Sequence, residues 1–171
     1  MSIIDERKRL LADRELRGSE FTLHLSDATD QWLHGLFSSV ADNRADLALI
    51  AVGGYGRRDL SPLSDLDVLL LHNDATDIEA VAEALWYPIW DQGEKLGHSV
   101  RTINETLALA SEDLDTATAL LSSRIIAGSQ ALANELSGKA IDQWKSKAKF
   151  WLPKLAESVH SRHRAKGEVA F

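Results

Sequence analysis

Two aspartates two residues apart, Asp65 and Asp67, open an apolar run, and a glycine-rich turn, Gly53-Gly54-Tyr55-Gly56, closes an earlier one. Side chains at i and i+2 of a strand point to one face, so the two carboxylates are projected together. Like charges held close are costly unless a cation lies between them. Oxygen ligands select a hard cation, Mg²⁺. The glycines supply the complementary half. Without a Cβ, Gly53, Gly54 and Gly56 can take positive φ and admit a ligand close to the backbone. A helical turn starting near Tyr55 presents free N–H groups and its positive dipole end to an anion. A phosphate cradle facing metal-binding carboxylates is the layout for transfer chemistry on a nucleoside triphosphate, with pyrophosphate as the leaving group.

Each half alone has an ordinary reading: a tight turn for the glycines, a strand-entry cap for Asp-x-Asp. The specificity lies in their order: strand, Gly-Gly, ten residues after Gly54, Asp-x-Asp, strand. A dinucleotide fingerprint fails, because G-x-G-x-x-G read from Gly54 meets Asp59 where its third glycine belongs. The candidate site is therefore Asp65 and Asp67 as catalytic, metal-binding acids, with Gly53, Gly54, Arg57 and Ser64 as nucleotide-phosphate ligands. Arg57 suits bidentate phosphate contact, with a plain surface arginine as its alternative. Ser64 either caps the turn into the strand or touches the triphosphate. Tyr55 reads as packing and His98 as hydrogen-bonded structure. Trp86, Trp90, Trp144 and Trp151 lie at helical spacing and read as packing rather than base stacking. His160–Arg164 reads as a solvated basic helix end.

The motif resembles the polymerase-β nucleotidyltransferase superfamily. More closely, Ala51-Val-Gly-Gly-Tyr-Gly-Arg57 and Ser64-Asp-Leu-Asp67 resemble the N-terminal domain of the bacterial protein-PII uridylyltransferase family. A second block agrees: Trp90-Asp-Gln-Gly93, Gly97-His-Ser-Val-Arg-Thr102, then Asp113–Leu121. The resemblance covers roughly residues 20–165. It implies UTP as donor, with ATP as the alternative, Mg²⁺ as cofactor, and a tyrosine of the nitrogen-signalling protein PII as acceptor. Two departures stand out. Arg58-Asp59 replaces an expected Gly-Glu, and Gly97–Thr102 lacks the third metal-binding acid that the superfamily carries on a later strand. Three other readings stay open: a nucleotidyltransferase with another acceptor, a non-catalytic nucleotide-binding or regulatory module, and a helical interaction domain in which Asp-x-Asp is incidental. Full-length members of that family continue into hydrolytic and ligand-sensing domains that this chain does not match, so an excised or naturally short transferase module is expected.

The elements that must position these residues follow from periodicity. Phe21–Val40 repeats apolar residues at helical spacing, and Ile78–Trp90 does the same. Leu47–Val52 and Leu66–Leu71 read as buried strands and Gly97–Thr102 as a third. Thr102-Ile-Asn-Glu105 fits a capping box. Asp113 is expected to cap a helix ending at Gly128 in the C′ position. The tail from Lys139 reads as helix, kinked or divided by Pro153. The expected fold is α+β: a polymerase-β-like nucleotidyltransferase domain over residues 1–110, with a small mixed sheet and helices packed on it, then an α-helical subdomain over 111–171.

Bulk properties agree. The 171 residues suffice for one cored domain and include no cysteine, which excludes disulfides and thiolate chemistry. The net charge of −7 is unevenly spread: residues 1–138 hold 11 Lys and Arg against 23 Asp and Glu, and residues 139–171 hold 8 against 3. An acidic body does not suit phosphate-backbone binding, so no nucleic-acid partner is expected. Apolar runs are too short for a membrane span and the N-terminus is charged, so a cytoplasmic protein without a membrane partner is expected.

Overall fold

The computed structural model describes residues 3–167. One four-stranded mixed sheet lies at its centre, formed by β1 (Leu47–Ala51), β2 (Leu66–His72), β3 (Leu96–Arg101) and β4 (Arg124–Gly128), in the order β3-β2-β1-β4. β1 pairs antiparallel with both β2 and β4, and β2 pairs parallel with β3. The helices are α1 (Ile3–Ala12), α2 (Gly18–Ala41), α3 (Gly53–Gly56), α4 (Ile78–Asp91), α5 (Ile103–Ala110), α6 (Leu114–Leu120), α7 (Gln130–Ser146) and α8 (Ala148–Lys166). The architecture is the α+β arrangement expected, with a helical C-terminal part.

β1 is apolar throughout and β2 is apolar from Val68 to Leu71, because both faces of the sheet are covered there. Leu47, Leu49 and Ala51 of β1, with Leu66, Val68 and Leu70 of β2, enter one core with residues of α2 and α4. Ala48, Ile50, Leu69 and Leu71 enter a second core with residues of α5 to α8. Each fully buried leucine here contributes about 1.5–3 kcal/mol. On α2, Leu25, Thr29, Leu33, Phe37 and Ala41 recur every fourth residue and form its buried stripe. Thr102 and Glu105 make the expected capping box on α5, and Asp113 caps α6 by accepting from the Thr116 N–H at 2.7 Å.

Two expectations need correction. The helix capped by Asp113 ends at Leu120, not at Gly128, and Arg124–Gly128 becomes a fourth strand. Adjacent β-branched residues favour a strand there, with Ile125 packed toward one core and Ile126 toward the other. A register shift between Leu49 and Ile50 leaves Ile126 as the extra residue of a bulge, which masks the alternation in sequence. The sheet thus draws a strand from beyond residue 110. In the tail, the helices divide at Lys147, while Pro153 is accommodated inside α8.

Candidate functional site

Antiparallel pairing of β1 and β2 brings the end of one strand against the start of the other. The Val52 N–H donates to the Asp67 carbonyl at 3.0 Å, so the glycine turn begins where the acidic pair stands. Gly53 has φ +59° and starts α3. Val52, at the N-cap, makes no side-chain cap bond, which leaves the first N–H groups of the turn without that partner. A Cβ on Gly53 would lie 3.7 Å from Asp67 Oδ2, so turn and carboxylate face each other directly.

Strand register explains the pose of Asp67. Its partner on β3 is Gly97, and a Cβ there would meet Asp67 Oδ1 at 2.3 Å. The carboxylate therefore lies over a position that only glycine leaves open. Asp67 is exposed as a residue, yet its carboxyl is recessed between Gly97 and Gly53. Desolvation pushes its pKa above the ordinary aspartate value, and the charge of Asp65 pushes it in the same direction. Among the described residues neither acid has an ion-pair partner.

Gly54, Tyr55, Asp59, Leu60, Ser64, Asp65 and Asp67 line a cleft of about 230 Å³. Four of the six residues singled out in sequence thus share one cavity, and Gly53 borders Asp67 beside it. Arg57 stands apart from the lining. Its Nη2 is 3.9 Å from where a Gly54 Cβ would be, and its Nε donates to Asp59 at 2.9 Å. Ser64 Oγ accepts from the Ser61 N–H at 3.0 Å and shares a hydrogen bond with Ser61 Oγ, as a turn cap does. Among the described residues no group of three or more His, Cys, Asp or Glu is placed to hold a metal ion.

Asp59 was not singled out as a site residue, although it enters the cleft; its one sequence signal is that it replaces a glutamate of the resembled pattern. Tyr55 is packing, as expected: it is 1% exposed and its hydroxyl donates to Asp30 at 2.6 Å. Burial, first, and the Asp30 charge, second, raise its pKa and keep the phenol neutral. His98 lies between Trp86 and Trp90, at ring separations of 5.3 and 5.4 Å on the face opposite Asp67.

Residues 34–165 match the family described as a nucleotidyltransferase domain. The chain belongs to that family. Among curated proteins, it is 40% identical over 167 residues to the bifunctional uridylyltransferase/uridylyl-removing enzyme of Streptomyces coelicolor, covering 96% of this chain and 20% of that protein. The protein of the same name from Mycobacterium tuberculosis (strain H37Rv) is 40% identical over 147 residues, covering 84% and 18%. That from Caulobacter vibrioides (strain NA1000) is 36% identical over 176 residues, covering 93% and 19%. The chain thus spans about a fifth of the length of these relatives. A solved structure described as a toxin–antitoxin with AMP-PNP aligns with 74% of this chain and 98% of its own, at 16% identity and a TM-score of 0.47, too distant to bear on the site.

Proposed function

We propose that this domain transfers a nucleoside monophosphate from a nucleoside triphosphate to a hydroxyl, using Asp65, Asp67 and the Gly53–Gly56 turn. The observation that carries the proposal is the recessed, unpaired carboxylate of Asp67 facing the glycine turn across one cleft. The acids fit a divalent cation. Two carboxylates without a cationic partner, one of them with a raised pKa, gain from a cation that shares its remaining sites with phosphate oxygens. Mg²⁺ is bound in this way, through one or two carboxylates plus substrate phosphates, rather than in an all-protein cage. When bound, it supplies charge neutralisation for the pentavalent phosphorus and the leaving pyrophosphate.

This chain's own residues do the rest. The N–H groups of the glycine turn hold phosphate oxygens, aided by the positive end of its short helical dipole. Arg57 exchanges Asp59 for a phosphate oxygen, and Ser64 orders the turn that delivers Asp65. The acceptor oxygen attacks the α-phosphorus in line, the bond to the bridging oxygen breaks, and the acceptor proton leaves to solvent. The names of the similar proteins support uridylyl transfer, so UTP is the donor proposed, with ATP as the alternative. The resembled family supports a tyrosine of PII as acceptor and a cytoplasmic place of action, in control of nitrogen metabolism. Among the described residues no helix is long and apolar enough to cross a membrane.

A second reading, nucleotide binding without transfer, is favoured by the absence of a third metal-binding acid among the described residues. The test is pyrophosphate release from UTP, ATP, CTP and GTP with PII present and absent, each with Mg²⁺ or EDTA. Mg²⁺-dependent release with UTP, requiring PII, is expected. Binding of nucleotide with no release under any condition would establish the second reading instead.

A further inference from the structure

The glycine turn is held from behind by residues that do not reach the cleft. Arg124 begins β4, and strand register sets it opposite Ala51, two residues before the turn. From there its guanidinium donates in two directions. Nη1 and Nη2 form a fork on Asp30 of α2, at 2.6 and 3.0 Å. Nε and Nη2 reach the backbone carbonyls of Gly56 and Tyr55, at 3.3 and 3.4 Å. Asp30 Oδ1 also accepts the Tyr55 hydroxyl, and the guanidinium lies 5.5 Å from the centre of the Tyr55 ring. One ion pair thus grips the turn by two carbonyls, one hydroxyl and one ring face.

Packing closes the remaining direction. A Cβ on Gly56 would lie 1.9 Å from the Ser122 carbonyl oxygen, so the α6–β4 connection presses directly on the turn. The carbonyls that Arg124 holds are at the C-terminal end of α3, where a cation complements the helix dipole. The opposite end, at Gly53 and Gly54, faces the acids. Arg124 and Asp30 are both mostly buried, with side chains 23% and 18% exposed, so their geometry is fixed by packing as well as by charge.

We propose that Arg124 and Asp30 are positioning residues: they set the orientation of the Gly53–Gly56 turn toward Asp67 and thereby align the triphosphate for transfer. This rests on the functional reading above. Lysine at 124 keeps the charge beside Asp30 but loses the planar fork, so it cannot hold the carboxylate and both carbonyls together. A turn displaced by a fraction of an ångström still binds phosphate, yet in-line alignment suffers steeply.

The experiment pairs hydrogen exchange with kinetics on the wild-type chain, Arg124→Lys and Tyr55→Phe. Amide exchange across Gly53–Arg57 should quicken about tenfold in Arg124→Lys while protection in α2 and β2 stays unchanged. Its kcat for pyrophosphate release should fall about 10- to 100-fold, with KM for the nucleotide within about threefold of wild type. Tyr55→Phe, which removes one hydroxyl, should show the same pattern at smaller size and serves if Arg124→Lys does not fold. Unchanged exchange in the turn, or protection lost equally throughout the chain, would overturn the positioning role. A wild-type chain that releases no pyrophosphate from any nucleotide would instead sink the functional reading, and the exchange data would then decide the positioning claim alone.

Discussion

Two pairs of aspartates flank the central strands and are treated in opposite ways: Asp46, just before β1, lies with Asp77 at the N-cap of α4, and Asp65, just before β2, lies with Asp67 inside it. At one end, Arg44 donates to both oxygens of Asp46, each at 2.7 Å, and to both of Asp77, at 2.8 and 3.0 Å. These bonds hold both carboxyls below the usual aspartate range. At the other end, Asp65 and Asp67 share no arginine, and desolvation raises Asp67. The sheet is the same, and so is the residue type. The difference is a cation supplied by the chain at one end and, under the proposed function, by a bound metal at the other. Charge that is neutralised within the fold serves structure. Charge left unneutralised in a recess over a glycine is what the proposed binding role requires.

The largest test of that contrast is Asp67→Asn. Transfer should fall by at least about 10³-fold, or about 4 kcal/mol of barrier. The thermal midpoint should hold or rise, since a desolvated charge and its repulsion are removed. A protein that loses both activity and stability would place Asp67 with the structural pair instead. Gly97→Ala sharpens the same point without touching an acid. Its Cβ would displace the Asp67 carboxylate, so activity should drop about 10- to 100-fold while circular dichroism stays unchanged.

Arg44→Ala should do the reverse, lowering the midpoint slightly in low salt and leaving transfer rates alone, because exposed pairs contribute little. The pH response separates the two ends by sign. Asp46 and Asp77 have folded pKa values below their unfolded values. Their contribution is therefore present above the unfolded value, near 3.9, and is lost as pH falls through the folded ones. Asp67, raised in the fold, works the other way: its ionisation costs stability as pH rises past the unfolded value. Acid titrations should show Arg44→Ala with a flattened loss of stability below about pH 4, and Asp67→Asn with a steeper loss than wild type just above it, where Asp67 of the wild type is being protonated.

Much of this was legible in the sequence because it is local. Continuous apolar runs marked β1 and β2, and the capping box marked α5. The spacing from Gly-Gly to Asp-x-Asp carried the cleft, since a hairpin connection brings those two ends together whatever else the chain does. What was missed depends on distant partners. β4 was hidden by a bulge that breaks its alternation and by its place after a helix that ends earlier than its glycine signal suggests. Arg124 and Asp30 are 94 residues apart, and nothing near either one announces the other. Gly97 was read only as part of a strand, because its role lies in the side chain that crosses over it.

The central claim is that the acids and the glycine turn bind one Mg²⁺–triphosphate between them. Its most direct test is the thermal midpoint of wild type and Asp67→Asn with UTP, in Mg²⁺ and in EDTA. A ligand at 100 times its Kd stabilises the native state by about 2.7 kcal/mol, a shift that is readily measured. The account predicts a clear rise for wild type with UTP and Mg²⁺, little with UTP in EDTA, and little for Asp67→Asn under either condition. An equal rise in both proteins, independent of Mg²⁺, would contradict it.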